Sequence, residues 1–120
     1  MRVTEALAQA AAVVTLGLGV MGLLWPARAA RFTGLSALHR TGFGEFRSTY
    51  GGLFVGLGLA PLVTGAPTAN GVVAAAWLCT GVGRLVSIVF DGGAKEPRSF
   101  GALALETGLG LALMPASGWW

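Results

Sequence analysis

Four apolar blocks, each close to the length of a membrane-spanning helix and each carrying no more than two charges, occupy most of this chain. They run from about Thr4 to Trp25, Glu45 to Thr64, Ala69 to Phe90 and Ser99 to Ala116. A spanning α-helix needs roughly 20 predominantly apolar residues. The pattern therefore predicts an all-α membrane protein, a four-transmembrane-helix bundle forming one domain over residues 1–120. Pro26 stops the first block, and GAPTAN and DGGAKEPR, with their Gly and Pro, separate the later ones. These are turn signals.

Composition agrees with a lipid solvent. Hydrophobic residues make up 54% of the chain and charged residues 11%, against roughly 25% charged in an ordinary soluble domain, and mean hydropathy is +0.71. Twenty glycines would weaken soluble helices, but small residues are favoured where membrane helices approach closely. The net charge of +3 comes from scattered Lys and Arg with no basic run, so nucleic acid is not an expected partner. The single cysteine, Cys79, lies in an apolar stretch and reads as a small hydrophobe; one thiol builds neither a disulfide framework nor a CxxC site.

Between the first two blocks, residues 27–44 mix Arg28, Arg31, His39 and Arg40 with Phe32, Leu35, Leu38 and Phe43. That mixture suits a short segment lying in the membrane interface. The first block has an alternative reading as a signal peptide, because Arg2 precedes the apolar run and Ala27-Arg28-Ala29 resembles a cleavage site. The length of the run and the early Glu5 count against cleavage.

The connections after the first and third blocks hold Arg28, Arg31, Arg40, Arg47, Lys95 and Arg98, whereas the opposite side holds Arg2 alone. Lys and Arg concentrate in cytoplasmic loops, so the expected topology is multi-pass in the cytoplasmic (inner) membrane with both termini outside. Trp25 on the inner side and Trp119-Trp120 on the outer fit aromatic belts.

Charges within the blocks are the informative residues. Arg84 and Glu106 each lie about seven residues, or roughly 10 Å of helix, from the same membrane face, and charges at that depth are costly unless paired. They are expected to face each other. Nearer the inner face come Glu45, Arg47, Tyr50 and Asp91, giving a candidate binding or structural polar cluster. Each has a plainer role available. Glu45 suits a helix start and Asp91-Gly92-Gly93 a helix stop, with Asp91 seeking Arg47, Arg84 or Lys95; Tyr50 and Arg47 suit the interface. The Arg84–Glu106 pair divides between a structural lock and a ligand, proton or ion site.

Small residues recur every four positions at Gly52, Gly56 and Ala60, and at Ala104, Gly108 and Ala112. Such stripes permit close helix approach, within the fold or to a neighbouring protein. The GxG strings Gly17-Gly19, Gly56-Gly58 and Gly108-Gly110 lie inside apolar helices, not at strand-to-helix turns, and so do not read as phosphate loops.

The strings EFRSTYGGLFVGLGLA (Glu45 to Ala60) and GVGRLVSIVFDGG (Gly81 to Gly93), with the embedded Glu106, resemble a family of small bacterial four-helix membrane proteins of unknown function, similar in layout to DoxX-like proteins. The resemblance covers most of the chain from Pro26 onward. It implies the four-helix architecture, with Glu45, Arg47, Tyr50, Arg84, Ser87, Asp91 and Glu106 on matching positions, and it supplies no activity.

No catalytic set emerges: His39 has no second His or Cys placed to help it hold metal, and Ser87 has no histidine in its own block. No metal and no cofactor are expected. Three functional classes remain. The first is an accessory or interaction subunit of a membrane complex, with a membrane protein or a second copy as partner. The second is a binding or transport protein for a small solute, lipid headgroup or proton, and the third an enzyme on a lipophilic substrate with Glu106 or Asp91 as acid or base.

Overall fold

Prolines mark where helices begin. Pro26, Pro67 and Pro97 each occupy the first turn of a helix, where a missing N–H costs nothing and the fixed φ is already helical. The computed structural model describes residues 2–36, 39–91 and 96–119; Leu38, Gly92, Gly93, Lys95 and Trp120, used in the sequence reading, lie outside these. Among the described residues the regular structure is entirely helical. The helices are α1 (Val3–Leu24), α2 (Pro26–Thr33), α3 (Arg40–Phe46), a π-helical segment (Arg47–Leu53), α4 (Phe54–Thr64), α5 (Pro67–Phe90) and α6 (Pro97–Leu113), which runs into a 3-10 turn at Met114–Ser117.

Three of these segments are long and apolar enough to cross a membrane: Val3–Leu24, Pro67–Phe90 and Pro97–Ser117. They coincide closely with the expected spans 4–25, 69–90 and 99–116. The second expected span differs. Residues 45–64 are not one α-helix: helical structure starts earlier, at Arg40, and changes to π geometry over Arg47–Leu53 before α4 resumes. Ser48 and Thr49 donate their hydroxyls back to the Gly44 and Glu45 carbonyls, four residues earlier, and such back-bonding competes with the regular ladder and bends helices. Gly51 and Gly52 follow, two residues of low helix propensity. The four-span count therefore does not follow from helix length alone.

The chain divides into two compact units, Ala12–Gly65 and the pair of segments Met1–Ala11 with Ala66–Trp120. Within the first unit, α2 ends at Gly34 in the left-handed region, φ 80°. There the Leu35 N–H reaches the Ala30 carbonyl at 2.9 Å and the Gly34 N–H reaches that of Arg31 at 3.3 Å, a Schellman closure. Ala29, Ala30 and Phe46 are buried together, with Met21 and Tyr50 packed against them.

The same unit brings helices together by omitting side chains. A β-carbon on Gly58 would fall 2.5 Å from the Leu16 amide nitrogen, and one on Gly51 would fall 2.8 Å from Leu23 Cα. From the other side, Gly22 sits against Tyr50 and Gly51, and Gly19 against Phe54 and Val55. Gly52 and Gly56, the glycines of the stripe read from the sequence, have almost nothing beyond them: only the Arg47 carbonyl, 3.8 Å from Gly52, comes within 4 Å.

In the second unit α5 and α6 form the main contact. Val73, Ala74, Trp77, Ile88, Leu109 and Leu113 are buried, so Trp77 is a packing residue. Gly110 seats Leu78, whose Cδ2 would be 2.6 Å from an added β-carbon, and Gly81 seats Thr107 Oγ1 at 3.1 Å. Gly108 again meets nothing within 4 Å. At the end of the chain the Asn70 amide donates to the Ala116 carbonyl at 3.3 Å, and the Trp119 indole lies over Gly71.

Paired substitutions separate the two kinds of glycine. Gly58→Ala is expected to lower unfolding stability in detergent by about 1–3 kcal/mol through overpacking. Gly56→Ala should be neutral or raise it by up to about 1 kcal/mol from helix propensity. Thermal unfolding of the two variants side by side checks both; equal behaviour would contradict the packing described.

Candidate functional site

Arg84 and Glu106 meet across α5 and α6. Arg84 Nη2 donates to Glu106 Oε1 at 2.8 Å, and Nε donates to Oε2 at 3.4 Å. The Glu106 side chain is 6% exposed and that of Arg84 35%. The guanidinium fork thus engages both carboxylate oxygens, the arrangement that best offsets desolvation of a buried charge. Among the described residues no buried side-chain nitrogen or oxygen lacks a hydrogen-bond partner. An acid already held on both oxygens is poorly placed for proton transfer unless Arg84 leaves it.

Ser87 and Asp91 continue along α5 toward its C-terminus. Ser87 is half-buried and its carbonyl accepts the Asp91 N–H at 2.8 Å, where Asp91 caps the helix. The residue thus closes the helix, as the DGG string suggested for it. Of the cations considered for Asp91, Arg84 is engaged by Glu106 and Lys95 lies outside the described residues.

Glu45, Arg47 and Tyr50 belong to the other unit, so the seven expected site residues form two groups, each standing on its own. Tyr50 is the middle of an aromatic ladder: its ring stacks on Phe46 at 4.3 Å and 17°, and meets Phe54 edge-on at 5.5 Å. Arg47 is exposed and donates through Nη1 to the Leu23 carbonyl, near the end of α1 where helix carbonyls lack partners of their own. Its role there is to close α1 against the π segment.

Glu45 lines a broad, open cavity of about 420 Å³. The opposite walls carry Ser36, His39, Thr41 and Thr49, with Phe46 and Tyr50 at the base of the aromatic ladder. His39, set aside in the sequence as a lone loop histidine, and the hydroxyls of Ser36, Thr41 and Thr49 are the site residues that sequence reasoning missed. A signal was present, since hydroxyls cluster at residues 36, 41, 48 and 49 in a chain otherwise rich in apolar residues. π-helical turns also recur at functional sites, and this one adjoins the cavity. Among the described residues no group of three or more His, Cys, Asp or Glu is placed to hold a metal ion.

Comparison with known families gives a match over residues 3–117 to the family described as "Domain of unknown function (DUF4345)". The chain belongs to this family. The matched range takes in Glu45–Ala60, Gly81–Gly93 and Glu106, the segments that carried the resemblance. No curated protein and no solved structure matches the chain. A DUF4345 chain thus carries two polar centres, one an ion pair closed on itself and the other an open cavity.

Glu106→Gln, which leaves the Arg84 guanidinium without its counter-charge, is expected to lower stability by about 1–3 kcal/mol, less than for a fully buried pair because Arg84 is partly exposed. The double variant Arg84→Met with Glu106→Met should recover most of that loss. A double-mutant cycle in detergent measures the coupling, and additive losses would show that the pair is not a unit.

Proposed function

We propose that the protein is a small multi-pass protein of the cytoplasmic membrane that serves as an accessory or interaction subunit of a membrane complex. In this reading Arg40–Thr64 supplies a fourth crossing, in spite of its π segment, and the Pro26–Gly44 stretch lies at the inner interface. Both termini are outside, in keeping with the concentration of Arg and Lys after the first and third blocks. Exposed Val82, Leu85, Val89 and Phe90 on α5 and Val13 and Val14 on α1 suit contact with lipid. Likeness of layout to DoxX-like proteins carries no part of the argument.

One observation carries the partner reading. The close approaches inside each unit use Gly51 and Gly58, or Gly81 and Gly110, while Gly52, Gly56 and Ala60, and likewise Ala104 and Gly108, stay exposed. Helix association in lipid is driven by backbone approach at small residues. Two small-residue faces left over after internal packing therefore favour a neighbouring helix as their occupant, from another membrane protein or a second copy. The Arg84–Glu106 pair then acts as a lock between α5 and α6 rather than as a carrier of protons.

Two experiments test this reading. A reporter fused after Trp120 should be active only when outside the cytoplasm; a cytoplasmic signal overturns the topology. In native membranes, Gly56→Leu and Gly108→Leu should reduce co-purified partner by about tenfold, equivalent to about 1.4 kcal/mol, with thermal unfolding unchanged. Undiminished recovery with both variants would remove the partner reading.

A further inference from the structure

The cavity beside the π segment holds an unusual charge. Glu45 is the sole carboxylate between residues 12 and 65, in a stretch that also contains Arg28, Arg31, Arg40 and Arg47. In water an acid among four arginines would be expected to pair with one. Among the described residues it does not: the salt bridge found there is Arg84–Glu106, in the other unit. Arg47, two residues away, turns its guanidinium to the Leu23 carbonyl instead.

The walls around Glu45 are rich in acceptors and aromatic faces. Thr49 donates its hydroxyl proton to the Glu45 carbonyl, so the oxygen presents lone pairs to anything else that approaches. The Ser36 and Thr41 hydroxyls line the same space. Phe46 and Tyr50, stacked at 4.3 Å, add π-faces beside the carboxylate. A carboxylate flanked by aromatic rings and hydroxyl acceptors is the chemistry that recognises an ammonium group, through charge, N–H donation and cation–π attraction. The volume, about 420 Å³, falls in the range of small-molecule sites, roughly 300–1,000 Å³, and far exceeds the roughly 30 Å³ share of one water.

We propose that the cavity bounded by Ser36, His39, Thr41, Glu45, Phe46 and Tyr50 binds a primary ammonium group, with Glu45 as its counter-ion. Exposed Trp25, Phe32 and Leu35 nearby in the chain are residues suited to the headgroup layer. The same chemistry is available from a lipid headgroup or from a free amine. The site uses none of the residues of the exposed small-residue faces, so it stands or falls separately from the partner reading.

The full chain, purified in mild detergent, is exposed to phosphatidylethanolamine or phosphatidylglycerol, and retained lipid is measured by native mass spectrometry for wild type, Glu45→Gln and Glu45→Asp. Wild type should retain the ethanolamine lipid over the glycerol lipid by about tenfold, Glu45→Gln should lose that preference, and Glu45→Asp should keep part of it. Glu45 is exposed, so the variants are expected to fold, and thermal unfolding verifies it. Competition by free phosphoethanolamine at comparable concentration would support the ammonium site and assign it to a small soluble amine; failure of that competition, with the lipid preference intact, assigns it to lipid. Equal retention of the two lipids by wild type without any effect of phosphoethanolamine, or a preference unchanged in Glu45→Gln, overturns the proposal.

Discussion

Backbone pressed on backbone is the contact on which each unit depends. Where Gly58 meets Leu16 and Gly51 meets Leu23, there is no room for a single extra carbon. In lipid this matters more than in water, because hydrocarbon tails are as apolar as leucine and give helices little reason to associate except close packing and polar links. Gly110 against Leu78 and Gly81 against Thr107 do the same work between α5 and α6. Once those approaches are set, the remaining faces of the helices are determined too, including which small residues are left outside.

Polar groups follow the same economy of placement. Arg84 and Glu106 satisfy each other across the α5–α6 contact, and Arg47 satisfies a carbonyl near the end of α1. Ser117, buried at the C-terminal turn, donates to the Met114 carbonyl at 2.6 Å and accepts the Trp119 N–H at 3.2 Å. Each of these holds one element against its neighbour. The cavity at Glu45 is different, because its carboxylate, hydroxyls and imidazole face open space.

Much of this was legible in the chain. Apolar length placed α1, α5 and α6 to within a few residues, and equal depth from a common face paired Arg84 with Glu106. Both are one-dimensional properties: a run length and a count of helical rises. What periodicity missed depends on rotation about the helix axis. The Gly52-Gly56-Ala60 repeat looks like a packing seam under a regular pitch, yet the π segment ending at Leu53 alters the phase, and it is Gly51 and Gly58 that face α1. The cavity was hidden for a similar reason, since Ser36, His39 and Glu45 are joined by the return of the chain between α2 and α3, which no local pattern encodes. The single grouping of seven polar residues was a matter of shared depth, and depth alone does not say which helices stand side by side.

The π segment has a consequence for how such a chain tolerates change. A π turn holds one residue more than the α turn it replaces, and each residue in a helix corresponds to about 100° of rotation. Loss of a single position between Arg47 and Leu53 would restore an ordinary helix and swing everything on one side of it by that angle. Glu45 would then leave its aromatic neighbours, or Gly58 would turn away from Leu16. Over this stretch the number of residues, more than the identity of most of them, is what keeps cavity and packing seam in register.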